Sequence, residues 1–328
     1  RMGNMVYEEY SYNYYIKKGT FTETDLEFQV PYTNKDDYFY LDVATEKNGV
    51  TIFEETVRYR TRAVGVNLPA RVKTINNTID SNQLTLTWPA IIQNEEGKYI
   101  TIDHYTVTRS SLPDFNGQPD FTREVTSPSF TDDLTGILGH PDERVYYRIT
   151  ATDSDGRTSR SSETIGVIDY ALHLGDNTAV NEIGLPVSLE GISTAADIRN
   201  AYPEINGVYR WNDREQGVEQ FIPGTSSTNF DLRWGKPLIV NASEEKTVTF
   251  CGPLASVRHN FFKTGTTSFN SLMLPLDRED LTSASLLRAD IPGCNGVARW
   301  NPRAQGFEQY IPGVPVTDFT TMPGGAYY

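Results

Sequence analysis

The chain has 328 residues, enough for three or four domains, and its 38% hydrophobic and 12% aromatic content belongs to folded protein rather than to a disordered tail. A formal net charge of −14 argues against nucleic acid as a partner, because phosphate backbones recruit Lys and Arg. No run approaches the roughly 18 apolar residues of a membrane span, and the two cysteines are too few for a disulfide framework.

With 19 Tyr, 15 Phe and turn-forming Gly and Pro at short intervals, the chain is expected to be mainly β. No basic region followed by an apolar stretch opens it, so a secreted protein would carry its leader outside this sequence. In residues 1–66 a strand through Tyr40 and Ala44 runs into Glu46-Lys47-Asn48-Gly49, and Val57 and Tyr59 lie on a closing strand.

Residues 67–168 give the clearest module. Leu84, Leu86 and Trp88 alternate with polar residues, the period-2 pattern of a strand with one buried face. A second run carries Tyr105 and Val107, and a third Tyr147, Ile149 and Ala151. Asp153-Ser154-Asp155-Gly156 then supplies a hairpin-type turn. Read as a calcium loop, that turn lacks an oxygen ligand at Arg157 and a Glu at Thr164. These residues resemble a bacterial fibronectin type III domain: Trp88 at the place of the core Trp, Tyr147-x-Ile149-x-Ala151 as its Tyr-x-Val-x-Ala strand, and 129–132 as its approach to that strand. The step from Ala44 to Gly49 matches that from Ala151 to Gly156, so 1–66 resembles the second half of another such module. Asp42 departs from the pattern, and a bulge or register shift would accommodate it.

From about His173 the sequence repeats itself. Residues 206–224 return as 295–313 with fourteen of nineteen positions identical, at an ungapped offset of 89. The expected domains are therefore a partial module at 1–66, a sandwich at 67–168, and repeats at 169–252 and 253–328. Each repeat is expected to hold a short helix, 194–201 or 283–290, stopped by Pro203 or Pro292, and then a hairpin turning at 212–217 or its equivalent. Two more strands, 237–241 and 246–250, follow in the first repeat. The second repeat stops before its counterpart of the last strand. That strand is expected either from a longer polypeptide or from a neighbouring subunit by strand addition. The Arg-Trp-Asn…Gln hairpin resembles a repeat found near the C-termini of large secreted bacterial surface proteins.

No spacing of the four histidines suggests a metal site, and no nucleophile elbow or phosphate-cradling loop is present. The sequence thus implies neither enzyme nor cofactor. One constellation merits a binding assignment: Trp211 and Trp300 with Arg210, Arg299, Asn212, Asn301, Gln216 and Gln305. An aromatic face rimmed by amides and guanidinium groups stacks on sugars. The competing reading, which the strand pattern favours, buries each Trp in the core of its own repeat with its N–H bonded locally. Cys294 stands at the position of Ile205, where a small buried hydrophobe is expected, and a bridge to Cys251 is the alternative. The expected role is an extracellular, bacterial, structural or adhesive segment whose partners are protein subunits or cell-surface glycans. The alternative is a glycan-binding accessory segment of a secreted polysaccharide-degrading enzyme.

Overall fold

The computed structural model describes residues 68–328 apart from 81, 117–118, 139–142, 176–178, 256, 258, 266–267 and 316, and the backbone of four strands within 1–67. The chain divides into two units, 1–67 and 68–328.

In the first unit, β1 (Val6–Glu9) pairs antiparallel with β2 (Tyr12–Tyr15), and β3 (Tyr38–Lys47) with β4 (Val50–Arg60). Asp42 lies in regular register opposite Thr56, and the shift falls instead between Thr45 and Glu46. The turn assigned to 48–49 lies outside the described residues.

The second unit begins with a sandwich. One sheet holds β5 (Asn76–Asp80), β6 (Gln83–Thr87) and β9 (Ser129–Asp133). The other holds β8 (Phe121–Val125), β7 (Ile102–Ser110), β10 (Arg144–Asp153) and β11 (Ile165–Leu172), in that spatial order. These seven strands make a fibronectin type III-like sandwich. Leu84, Leu86, Trp88, Val107, Tyr147 and Ile149 fill the space between the sheets, and Trp88 meets Tyr105 edge-on at 5.3 Å. Asp132 ties the sheets together by accepting from Tyr147 Oη at 2.8 Å and Arg109 Nη1 at 2.7 Å. At the β10 turn, Asp153 Oδ1 accepts from the backbone N–H groups of Asp155 (3.0 Å) and Arg157 (2.8 Å), and Gly156 takes φ +79°.

The first repeat contains β12 (Val180–Ile183), α1 (Ala195–Ala201), β13 (Ile205–Asn212), β14 (Gly217–Phe221), β15 (Leu238–Ala242) and β16 (Lys246–Pro253). Thr194 caps α1 in a reciprocal capping box with Asp197, and Ala195 and Ile198 face the core. The last two strands do not pair with each other. β15 lies between β12 and β13, whereas β16 joins the sandwich, antiparallel to β11 from Ile165↔Pro253 to Leu172↔Lys246. The boundary expected after residue 168 therefore falls inside β11. That strand is covered on both faces: Ile165 and Val167 point into the sandwich core, Ile168, Tyr170 and Leu172 into that of the first repeat.

The second repeat contains β17 (Leu272–Met273), α2 (Ala284–Asp290), β18 (Val297–Asn301), β19 (Gly306–Tyr310) and β20 (Ala326–Tyr327). Helices α1 and α2 have seven residues each and lie 89 apart, with Ser283 capping where Thr194 caps. Strands β14 and β19 show the same offset. Ala298 and Tyr328 exchange two backbone hydrogen bonds of 2.8 Å, at positions matching the Tyr209↔Ile239 pair of the first repeat. The two cysteines are separate free thiols: Cys251 lies buried on β16, and Cys294 bonds the Gly296 carbonyl. Among the described residues no helix is long and apolar enough to cross a membrane.

Candidate functional site

The hairpin shared by the repeats is built from its own sequence. Arg210 and Glu219 face each other across β13 and β14 and form an ion pair, and Asn212 Nδ2 donates to the other Glu219 oxygen at 2.7 Å. In the second repeat Arg299 Nε lies 2.6 Å and Asn301 Nδ2 2.7 Å from the Glu308 oxygens. These donors hold both glutamates below the usual carboxylate range. The Arg210 guanidinium lies 4.5 Å from the centre of the Phe230 ring, and that of Arg299 4.6 Å from Phe319. Asn212 Oδ1 accepts from Arg214 and Glu215 backbone N–H groups at 3.1 Å, and Asn301 Oδ1 from Arg303 and Ala304 at 3.0 Å. Each Asn thereby closes an Asx turn. Gln216 and Gln305 follow in the left-handed region at φ +50° and +49°. Four of the eight candidate residues, the arginines and asparagines, are thus used inside their own repeats.

The other four reach across to the opposite repeat. Trp211 Nε1 donates to the Phe269 carbonyl at 3.0 Å, and Gln216 holds the same residue twice, by Nε2 to its carbonyl and by Oε1 from its N–H, both 2.8 Å. In return, Trp300 Nε1 donates to the Val180 carbonyl at 2.7 Å, and Gln305 takes the Val180 carbonyl and N–H at 3.1 Å each. Positions 180 and 269 are also 89 apart. Each repeat therefore grips the equivalent backbone position of the other, a two-fold exchange like that of an isologous dimer. The glutamine amide pairs with the N–H and carbonyl of one residue, as a residue on a neighbouring antiparallel strand would.

Neither expectation for the tryptophans describes this arrangement. Both rings are half-buried, and each N–H is bonded across the repeat seam rather than within its own repeat. The sequence held no marker for the acceptors, since any residue supplies a backbone carbonyl.

The seam is unequal in its ionisable groups. On one side Asp213 Oδ1 accepts from Ser271 N at 2.6 Å and Ser271 Oγ at 2.9 Å, while Lys236 Nζ lies 2.7 Å from Oδ2 and 2.6 Å from the Ser271 carbonyl. Pro302 replaces Asp213 on the other side, and Glu182 replaces Ser271. Glu182 Oε2 accepts from Trp300 N at 3.2 Å, and burial pushes its carboxyl up to about 7. Burial first, and then the Glu182 charge, push the Tyr328 hydroxyl well above its ordinary value. The sandwich also touches the second repeat: Arg144 Nη1 donates to the Pro323 carbonyl at 2.6 Å and Tyr170 Oη to the Gly324 carbonyl at 3.1 Å. Among the described residues no three His, Cys, Asp or Glu side chains gather where they could hold a metal ion.

No family model and no curated protein matches this chain. Among solved structures, the chicken CNTN1 FN1–FN3 domains are similar to it at 15% identity and a TM-score of 0.28, covering 66% of this chain and 76% of that one. The rat CD45 extracellular region, domains d3–d4, aligns at 11% identity and a TM-score of 0.21 over 47% of this chain and 78% of that one. The Clostridium perfringens spore cortex lytic enzyme SleM aligns at 16% identity and a TM-score of 0.22, over 38% of this chain and 36% of that one. Such values carry no residue-level correspondence.

Proposed function

We propose that this chain is a non-catalytic segment of an extracellular bacterial surface protein, in which residues 68–328 act as a stiff connector between other parts of an adhesive or structural assembly. The observation that carries the reading is the reciprocal grip of Trp211 and Gln216 on Phe269 and of Trp300 and Gln305 on Val180. The indole N–H groups and glutamine amides are used to fasten two repeats. Pairing of β16 with β11 supports the same reading, because a continuous sheet resists bending at a domain junction better than a linker does. The acidic net charge of −14 suits a solvated outer surface.

Two measurements test it. Antibody raised against 68–328 should label intact cells, with the antigen lost on mild external protease treatment. Small-angle scattering of 68–328 should fit one rigid particle, and the Trp211→Ala/Trp300→Ala variant should require an ensemble. An antigen found only inside the cell, or a wild-type scattering curve that already needs independent domains, would refute the proposal.

A further inference from the structure

Beside Trp211, a cavity of about 440 Å³ opens between the repeats. In a chain of net charge −14 its lining is unexpectedly basic, with Arg210, Arg214, Arg233 and Lys236 against Asp213 and Glu215. Arg210 is neutralised by Glu219 and Lys236 by Asp213. Arg214 and Arg233 remain, both exposed, with Glu215 as the lining's other carboxylate and the Glu219 charge also felt by Arg233. Arg214 lies over the Phe262 ring at 5.6 Å, which places that cation against an aromatic wall.

The second repeat serves as an internal control. It keeps the Arg, Trp, Asn, Gln and Glu that build the hairpin and the grip, yet Met322 and Gly325 stand at the positions of Arg233 and Lys236, and Ala304 at that of Glu215. Hairpin and grip thus need none of these three, and of the four basic lining residues Arg233 and Lys236 belong to the first repeat alone.

We propose that this cavity binds one acidic unit of a polysaccharide, its carboxylate or sulfate held by Arg214 and Arg233 and its ring lodged on the aromatic wall of Trp211 and Phe262. Guanidinium forks match planar or tetrahedral oxyanions, and the volume lies in the range of small-molecule sites. A cavity of this size takes a compact ring, whereas an extended acidic peptide is better served by a sheet edge. The site goes beyond the connector role and stands whether or not that role is correct.

Calorimetric titration of the full chain with tetragalacturonate, a sulfated disaccharide, neutral cellotetraose and hexaglutamate tests this. At least one acidic saccharide should bind, more weakly as salt rises, with cellotetraose silent; which one binds identifies the anion. The Arg214→Ala/Arg233→Ala variant should lose roughly tenfold or more in affinity, the expected cost of two charge-assisted contacts, at an unchanged melting temperature. The proposal is overturned by silence of both acidic saccharides, by equal binding of cellotetraose, or by full affinity in the double variant. Binding of hexaglutamate alone would assign the cavity to an acidic protein segment instead.

Discussion

The first repeat completes its core with side chains from outside itself. Tyr146, Ile168, Tyr170 and Leu172 of the sandwich pack with its own Ile198, Val208, Phe230 and Phe250, and Leu276 comes from the second repeat. The second repeat has a smaller cluster drawn wholly from residues 272–327, centred on Leu274, Leu287, Val297 and Phe319. One sequence pattern thus supports two modes of stabilisation: sharing of a sheet and core, and docking through polar contacts at a seam. Small domains bury too little apolar surface to be stable alone, so the grip from Trp211 and Gln216 should matter more to the second repeat than the reverse grip does to the first.

The largest expected effects separate the two cores. Phe250→Ala removes a fully buried ring and should cost about 3–5 kcal/mol, lowering the unfolding of sandwich and first repeat together. Leu287→Ala should cost about 2–5 kcal/mol, with faster hydrogen exchange confined to 272–328. If Leu287→Ala loosened the sandwich amides equally, the two repeats would share one cooperative unit and the contrast would fail.

Next comes Gly184, which faces the seam where the second repeat has Met273. A Cβ there would lie 2.2 Å from the Gly324 carbonyl oxygen and 2.9 Å from Tyr170 Oη. Gly184→Val must therefore push the second repeat away, at an overpacking cost of about 1–3 kcal/mol. Scattering should report a larger particle, while near-ultraviolet dichroism of the sandwich stays unchanged. An unchanged scattering curve would show that the seam can yield without opening.

These contrasts were only partly legible in the sequence. The sandwich strands could be read because alternation such as Leu84-x-Leu86-x-Trp88 reports one buried face directly, and the hairpins because Asn212 and Gln216 carry local turn chemistry. Pairing of β16 with β11 could not be assigned, since partner choice between distant strands leaves no local mark. A hint existed: Ile165-Gly166-Val167-Ile168 followed by Tyr170-Ala171-Leu172 is apolar on both faces, the signature of a strand covered from two sides. The grip was hidden for a different reason. The donors, Trp and Gln, stood out, but the acceptors are backbone atoms of Phe269 and Val180, which no side-chain pattern reveals.

Gln216→Ala and Gln305→Ala probe the symmetry of the grip. Each deletes two hydrogen bonds to the backbone of one residue across the seam and one to a carbonyl of its own turn, and each should cost about 1–3 kcal/mol. Exchange protection in the second repeat should fall in both variants, whereas the first repeat, anchored through β16, should respond little. A marked loss of protection in the first repeat after Gln305→Ala would mean that the seam, not the shared sheet, holds it.

The smallest effect is a pH dependence confined to one side of the seam. Burial pushes the Glu182 carboxyl up to about 7 from an ordinary 4.5, so the folded protein retains a proton that the unfolded chain releases. Between those values the native state binds more protons than the unfolded state, and stability must fall as pH rises. The penalty grows from about pH 4.5, is complete above about pH 7, and amounts to about 1 kcal/mol between pH 6 and 7. His259 opposes this trend, since burial lowers its pKa and it must charge on acidification. Glu219 and Glu308, with depressed values, lose their contribution only below the usual carboxylate range. The difference between wild type and Glu182→Gln isolates the term, because His259 is common to both. Exchange protection of the second repeat should rise from pH 7 to 6 in wild type by about 1 kcal/mol more than in Glu182→Gln. Identical pH profiles for the two proteins would remove Glu182 as the group that titrates at the seam.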